Sequence, residues 1–185
     1  FIYGTTAIYG GLGSIPVDQP AKIFIYDVED VNDSAEFVYN FLSMSVTNSS
    51  GKEIKEVAGP SLFYRSAGPG DFISFSFTVP ETAEYEISLR TMLSNLYGKY
   101  ILKIDGQTIG DVYDGYAPQT GESGLTSFGL MNLTGGEHEI TFECVGKNNA
   151  SSDYVIGLRQ LILLNKNKVE EKEEKKVKEF VPNIK

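Results

Sequence analysis

The chain has no tryptophan, one cysteine and one histidine among its 185 residues. Each scarcity closes a class of chemistry. A lone cysteine, Cys144, cannot form an internal disulfide, and its place in an alternating apolar run marks it as a small buried side chain. One histidine and one cysteine fall short of the about three or four ligands of a zinc site. A Ser-His-Asp or Cys-His arrangement would have to use His138, which stands in G-G-E-H-E-I where a strand begins after a tight turn; that position suits a brace of the turn. No Gly-rich segment is followed by a helix as in a phosphate-binding loop. No run of about 18 apolar residues offers a membrane-spanning helix.

Positive charge is also in short supply. Against 25 Asp and Glu stand 16 Lys and Arg, for a formal net charge of −9 at pH 7. The imbalance is greater in the body of the chain, because residues 166–185 hold 7 Lys and 5 Glu and residues 1–165 therefore carry −11. Nucleic acid and acidic membranes are poor partners for such a charge; a neutral glycan, a cation or another protein fits better. The length allows one well-filled core and is short for two. The chain begins at Phe1 and not at Met, as an excised or processed segment would.

Helical periodicity is scarce too, and alternation takes its place. Ile73, Phe75, Phe77 and Val79 alternate with Ser74, Ser76 and Thr78 up to Pro80, a half-buried strand with its stop built in. Tyr85, Ile87 and Leu89 alternate with Glu86, Ser88 and Arg90. Tyr100, Leu102 and Ile104 follow, and Asp105-Gly106 predicts a two-residue hairpin turn. Ile140, Phe142 and Cys144 alternate with Glu139, Thr141 and Glu143 after Gly135-Gly136. The last run, Val155 to Leu164, is apolar on both faces, which places it centrally or under cover. Strands about ten residues apart, separated by Gly, Pro, Asn and Asp, predict an all-β, antiparallel sandwich of about 8–10 strands with at most one short helix.

Three segments depart from this rhythm. In Asp33 to Met44, Phe37, Phe41 and Met44 recur at helical spacing behind Ser34, a plausible N-cap, which predicts one short helix over the sandwich. Residues 1–20 form an apolar arm with a single charge, Asp18. The arm either packs along its own domain or adds a strand to the open sheet edge of a neighbouring subunit. Residues 166–185 are a charged tail or linker in which Glu171 to Lys175 and Glu174 to Lys178 are favourable pairs for a solvated helix. The sandwich itself is expected over residues 21–165.

Candidate chemistry is concentrated in the turns. Asp111 and Asp114, with Glu122 nearby, are the densest carboxylate set, yet no catalytic motif surrounds them, and solvated loops account for them more simply than a glycosidase pair. The chain is therefore not expected to be an enzyme. Asp27, Glu29, Asp30 and Asp33 offer hard oxygen ligands to calcium. Sugar recognition requires flat apolar faces beside amide or carboxylate groups, and without tryptophan the tyrosines must supply the faces. Tyr64, Tyr97, Tyr113, Asp114, Tyr116, Asn148 and Asn149 all fall in or beside predicted loops; the competing reading is that these tyrosines fill the rims of the sandwich.

From Tyr113 the chain reads Y-D-G-Y-A-P, then L-T-G-G-E-H-E-I-T-F-E-C-V-G-K-N-N-A-S-S-D-Y-V-I-G-L-R-Q-L-I-L. This run resembles the closing strands of jelly-roll carbohydrate-binding modules of families 35 and 6, and more specifically the accessory jelly-roll associated with glycoside hydrolase family 172. The resemblance covers residues 21–164 and is sharpest from Asp71 onward. It implies an antiparallel jelly-roll, a noncatalytic carbohydrate-binding function and a bacterial extracellular or cell-surface setting. It also implies a loop-end sugar site at Tyr64, Tyr97 and Asn149, to which the loop residues Asp114 and Tyr116 are added. A structural calcium would use Asp27 and Glu29, but Arg159 stands where many relatives carry Asp; the alternatives to calcium there are a pair of its guanidinium with Asp27 or Glu29 and an exposed acidic strand end. Two other roles remain open on the same resemblance: a structural subunit of an extracellular assembly that uses the apolar arm, and an oligomerisation domain of a glycoside hydrolase.

Overall fold

In a computed structural model of the chain, the structure describes residues 35–50, 53–56 and 59–180. The apolar arm and the carboxylates Asp27 and Glu29 lie outside the described residues. Among the described residues twelve strands follow in chain order: β1 Glu36–Asn40, β2 Ser45–Ser49, β3 Glu53–Glu56, β4 Leu62–Arg65, β5 Phe72–Val79, β6 Ala83–Leu93, β7 Gly98–Ile104, β8 Gln107–Asp114, β9 Gly121–Glu122, β10 Thr126–Leu133, β11 Gly136–Lys147 and β12 Val155–Asn165. One α-helix, α1 Lys166–Phe180, closes the order.

The strands form two sheets that pair antiparallel throughout their ladders and pack as a jelly-roll β-sandwich. One sheet runs β2-β5-β11-β7-β8. The other runs β10-β6-β12-β4-β3, with β1 continuing on the edge of β12 beyond β4 and β9 extending β6. The double-sided apolar run is thus central: β12 pairs with β6 on one edge and with β4 and β1 on the other, as its composition predicted.

Alternation sets the faces. Ile73, Phe75, Phe77 and Val79 point into the sandwich and meet Tyr85, Ile87 and Leu89 from the opposite sheet in one buried core with Tyr100, Leu102, Ile140, Phe142 and Cys144. Each such aliphatic or aromatic side chain contributes roughly 1.5–3 kcal/mol on burial. The outward residues pair across strands: the Ser74 and Thr141 hydroxyls lie 2.7 Å apart, and Lys103 Nζ donates to Glu143 Oε2 at 2.6 Å.

The segment predicted as a helix is instead β1 followed by a single 3-10 turn, Phe41–Ser43. Phe37 and Tyr39 alternate inward against Leu163 and Leu161, so the period is two. At Phe41 the chain leaves one sheet for the other, and this crossing produces the helical spacing of Phe37, Phe41 and Met44. Phe41 is fully buried there, with edge contacts to Phe75 and Phe142 at 5.1 and 5.5 Å. The α-helix lies in the charged tail. Asn165 Oδ1 accepts the Lys168 N–H at 3.2 Å as an N-cap, and Lys168 Nζ reaches Glu81 at 2.8 Å. Among the described residues no helix is long and apolar enough to cross a membrane.

Candidate functional site

Because β7 and β11 run antiparallel, the five-stranded sheet has two distinct ends. At one, Ile104 pairs with Ile140 beside the β7–β8 hairpin; at the other, Gly98 pairs with Lys147 beside the loops.

The hairpin turn is Asp105-Gly106, both with positive φ (50° and 79°), as the tight turn requires. Asp105 exchanges backbone and side-chain bonds with Glu139: its N–H donates to Glu139 O at 2.9 Å, and its Oδ1 accepts the Glu139 N–H at 2.9 Å. Its Oδ2 lies 2.6 Å from His138 Nδ1, while His138 Nε2 lies 2.8 Å from Thr134 O. Both ring nitrogens face acceptors, an arrangement that favours the doubly protonated ring. Burial pushes its pKa down, but the Thr134 carbonyl and the Asp105 carboxylate outweigh burial and hold it above the usual value. A ring engaged on both nitrogens braces the turn and presents no free base.

The opposite end gathers three loops. Ser94 N–H donates to Gly115 O, Ala117 N–H to Ser94 O, and Gly115 N–H to Gly98 O, at 3.0–3.2 Å. Ser152 N–H reaches Asn95 O at 3.0 Å, and the Ser151 hydroxyl donates to Tyr97 O at 2.7 Å. Asp114 is the hub: Oδ1 accepts the Tyr116 N–H at 3.1 Å, and Oδ2 accepts Asn148 Nδ2 at 3.1 Å with Lys99 Nζ at 3.4 Å. Y-D-G-Y and G-K-N-N, 34 residues apart in their Asp114–Asn148 contact, are therefore one constellation. Lys147 sits 4.7 Å over the Tyr154 ring, and Arg65 pairs with Asp153 at 3.5 Å.

Of the five residues expected to contact sugar, Asp114 and Tyr116 are half-buried in this constellation, and Asn149 is exposed beside Asn148. Tyr64 and Tyr97 require correction. Tyr64 is 0% exposed within the core, where its ring has no face to offer. Tyr97 is 3% exposed: it folds onto the outside of the seven-stranded sheet against Phe63, with its hydroxyl over Gly157. A Cβ at Gly157 would stand 2.8 Å from Met92 Cβ and 2.9 Å from the Tyr97 hydroxyl, so this glycine makes the room. Burial pushes the Tyr97 phenol up to about 12, with Tyr113 adding to the shift. Sequence reasoning missed Lys99, which joins Asp114, and named Asn148 among the candidate loop residues while placing Asn149 in the sugar site; the interior glycine in V-I-G-L was the available sign of a close approach.

A groove adjoins the loops. β8 and β10 are edge strands of opposite sheets, and both are bulged where they meet. Gly110, Asp111 and Val112 stand opposite Ile101 alone, and Phe128 has no partner between Ser127↔Ser88 and Gly129↔Ile87. Gly110 approaches so closely that a Cβ would lie 2.8 Å from Phe128 O. The open space of about 380 Å³ is lined by Gly110–Asp114 and Thr126–Phe128.

Arg159 contacts Glu122 of β9 through its guanidinium, which removes Glu122 from the carboxylate set of Asp111 and Asp114. The expected partners Asp27 and Glu29 lie outside the described residues. A guanidinium is no ligand for calcium, so the last-strand position does not fit that metal. Among the described residues no group of three or more His, Cys, Asp or Glu side chains is placed to hold one.

No family model matches this chain, and no curated protein matches it. Solved structures do. A Paenibacillus xanthan lyase is similar with a TM-score of 0.64 at 22% identity, over 69% of this chain and 13% of the lyase chain. A family 35 carbohydrate-binding module from Clostridium thermocellum gives 0.46 at 14% identity over 71% of this chain and 99% of the module. A family 36 carbohydrate-binding module solved with calcium and xylotriose gives 0.45 at 16%, over 68% and 97%. At 22% identity the likeness to the lyase is one of fold alone, and the class, the jelly-roll β-sandwich, is defined by the chain's own strand order. This chain spans about one-eighth of the length of the lyase.

Proposed function

We propose that this chain is a noncatalytic carbohydrate-binding module of a bacterial extracellular polysaccharide-active or cell-surface protein, with its glycan site at the loop end. One observation carries this reading: the loops that hold Asp114, Tyr116 and Asn148 are locked by backbone hydrogen bonds before any ligand arrives. Preorganisation of this kind lowers the cost of binding. Tyr116 supplies an aromatic face, Asn149 an amide, and Asp114 positions both loops. The resemblance of residues 113–163 to family 35 and 6 modules points the same way.

The test is titration calorimetry of the full chain against neutral and acidic oligosaccharides, alongside Tyr116→Ala and Asn149→Ala. Saturable binding is expected, weakened at least about tenfold by Tyr116→Ala, which corresponds to about 1.4 kcal/mol. Binding that ignores both substitutions, or none at all, would contradict the proposal.

A further inference from the structure

We infer that the groove between β8 and β10 takes the interior of a neutral glycan chain whose neighbouring residue rests on the loop end. This deepens the loop-end reading and rests on it.

The groove is a built feature. An edge that served only to close the sandwich would need neither bulge, yet both strands break register at the same place. Gly110 and Gly129 hold φ of +67° and +104°, and Gly110 admits no side chain against Phe128. Glycine enters these regions at the lowest cost, and bulges concentrate where a chain is re-aimed toward a ligand.

The lining selects the ligand. Asp111 and Asp114 present carboxylates that accept from vicinal hydroxyls, Thr126 adds a hydroxyl group beside Ser127, whose own hydroxyl donates to Glu86 at 2.9 Å, and Val112, 51% exposed on its bulge, offers an apolar patch for C–H surface. Among the described residues no Lys, Arg or His lines the groove, and the nearby cation Lys99 is engaged by Asp114. With two carboxylates in the wall and a net charge of −9, an anionic sugar is repelled. The volume of about 380 Å³ falls within the roughly 300–1,000 Å³ of small-ligand sites.

Continuity sets the ligand's length. Asp114 lines the groove and also holds Tyr116 and Asn148, so a chain that contacts Tyr116 continues past Asp114 toward Asp111 and Val112. A chain terminus or a monosaccharide would use the loop end alone. An internal segment uses both.

The experiment is a ladder of xylo- and cello-oligosaccharides, two to six residues long, with oligogalacturonides as the anionic comparison. It is read by calorimetry and by amide chemical shifts on the full chain. Affinity for one neutral series is expected to rise at least tenfold from the biose to the hexaose, and amides at 110–112 and 126–129 should shift with the longer members. In Val112→Glu the hexaose-to-biose ratio should collapse toward one. Asp111→Ala, a smaller change at an exposed position, should reduce the same ratio.

If short sugars bind with dependence on Tyr116 but affinity is flat with length, the groove inference fails and the loop-end reading stands. Tighter binding of oligogalacturonides than of either neutral series also overturns it, as does an unchanged ratio in both groove variants. If neither series binds at any length, both readings fall together.

Discussion

The two ends of the five-stranded sheet are made from similar residues and behave oppositely. At the hairpin end, Asp105, His138, Thr134 and Glu139 close on one another around the buried His138 ring, and both ring nitrogens and both Asp105 oxygens are matched within the cluster even though Asp105 and Thr134 are exposed. At the loop end, Asp114 ties Tyr116, Asn148 and Lys99 together, but the network runs out to half-buried and exposed groups: Tyr116, Asn149, Asp111. A polar cluster whose donors and acceptors are all matched serves as architecture. One that extends to exposed side chains not bonded within it holds hydrogen-bonding capacity in reserve for a ligand.

The sharpest test of this division is at the tyrosine assigned to sugar by its sequence position and to the core by the structure. Tyr64→Ala should cost about 3–5 kcal/mol in urea unfolding through cavity formation. Near-native stability with lost glycan affinity would return Tyr64 to the site.

His138→Ala should cost about 1–3 kcal/mol, because Asp105 and Thr134 O lose their partners. Its pH dependence has a definite sign. The folded pKa is raised, so the stabilisation from His138 is fully present below its unfolded value of about 6.5 and is lost as pH rises through the folded value. The stability gap between the natural chain and His138→Ala should therefore narrow toward alkaline pH, in melts taken at successive pH values. A gap that widens there would show the ring to be neutral in the fold.

At the loop end, Asn148→Ala should cost only about 1 kcal/mol and speed amide exchange at Tyr116 and Ala150, whose loops lose the Asp114 link and the Ala150 N–H to Asn148 Oδ1 bond of 3.1 Å. The smallest effect is expected at Arg159→Ala. Its pair with Glu122 is solvent-facing on the carboxylate side, and such pairs contribute about 0–1 kcal/mol.

Much of the fold was legible because period two is written directly in Ile73–Val79, Tyr85–Leu89 and Ile140–Cys144, and because Val155–Leu164 is apolar on both faces. The helix expected near Phe37 failed for a physical reason. A strand that ends in a sheet crossing places Phe41 at the spacing a helix would use, and one sequence does not distinguish the two. For the site, Gly, Asn and Asp marked the loops, and Asp114 and Tyr116 were found among them. The burial of Tyr64 and Tyr97 was not legible, since it depends on which face of which sheet each ring meets. Nor was the groove, because a register shift belongs to a pair of strands; Gly110 and Gly129 inside strand patterns were its only trace.

The most direct measurement is an amide chemical-shift titration of the labelled full chain with neutral oligosaccharides. Shifts confined to residues 94–98, 110–118, 126–129 and 147–154, with 105–108 and 134–139 unmoved, are the expected result. Shifts centred on the hairpin end, or none at saturating sugar, would contradict the assignment of binding to the loop end.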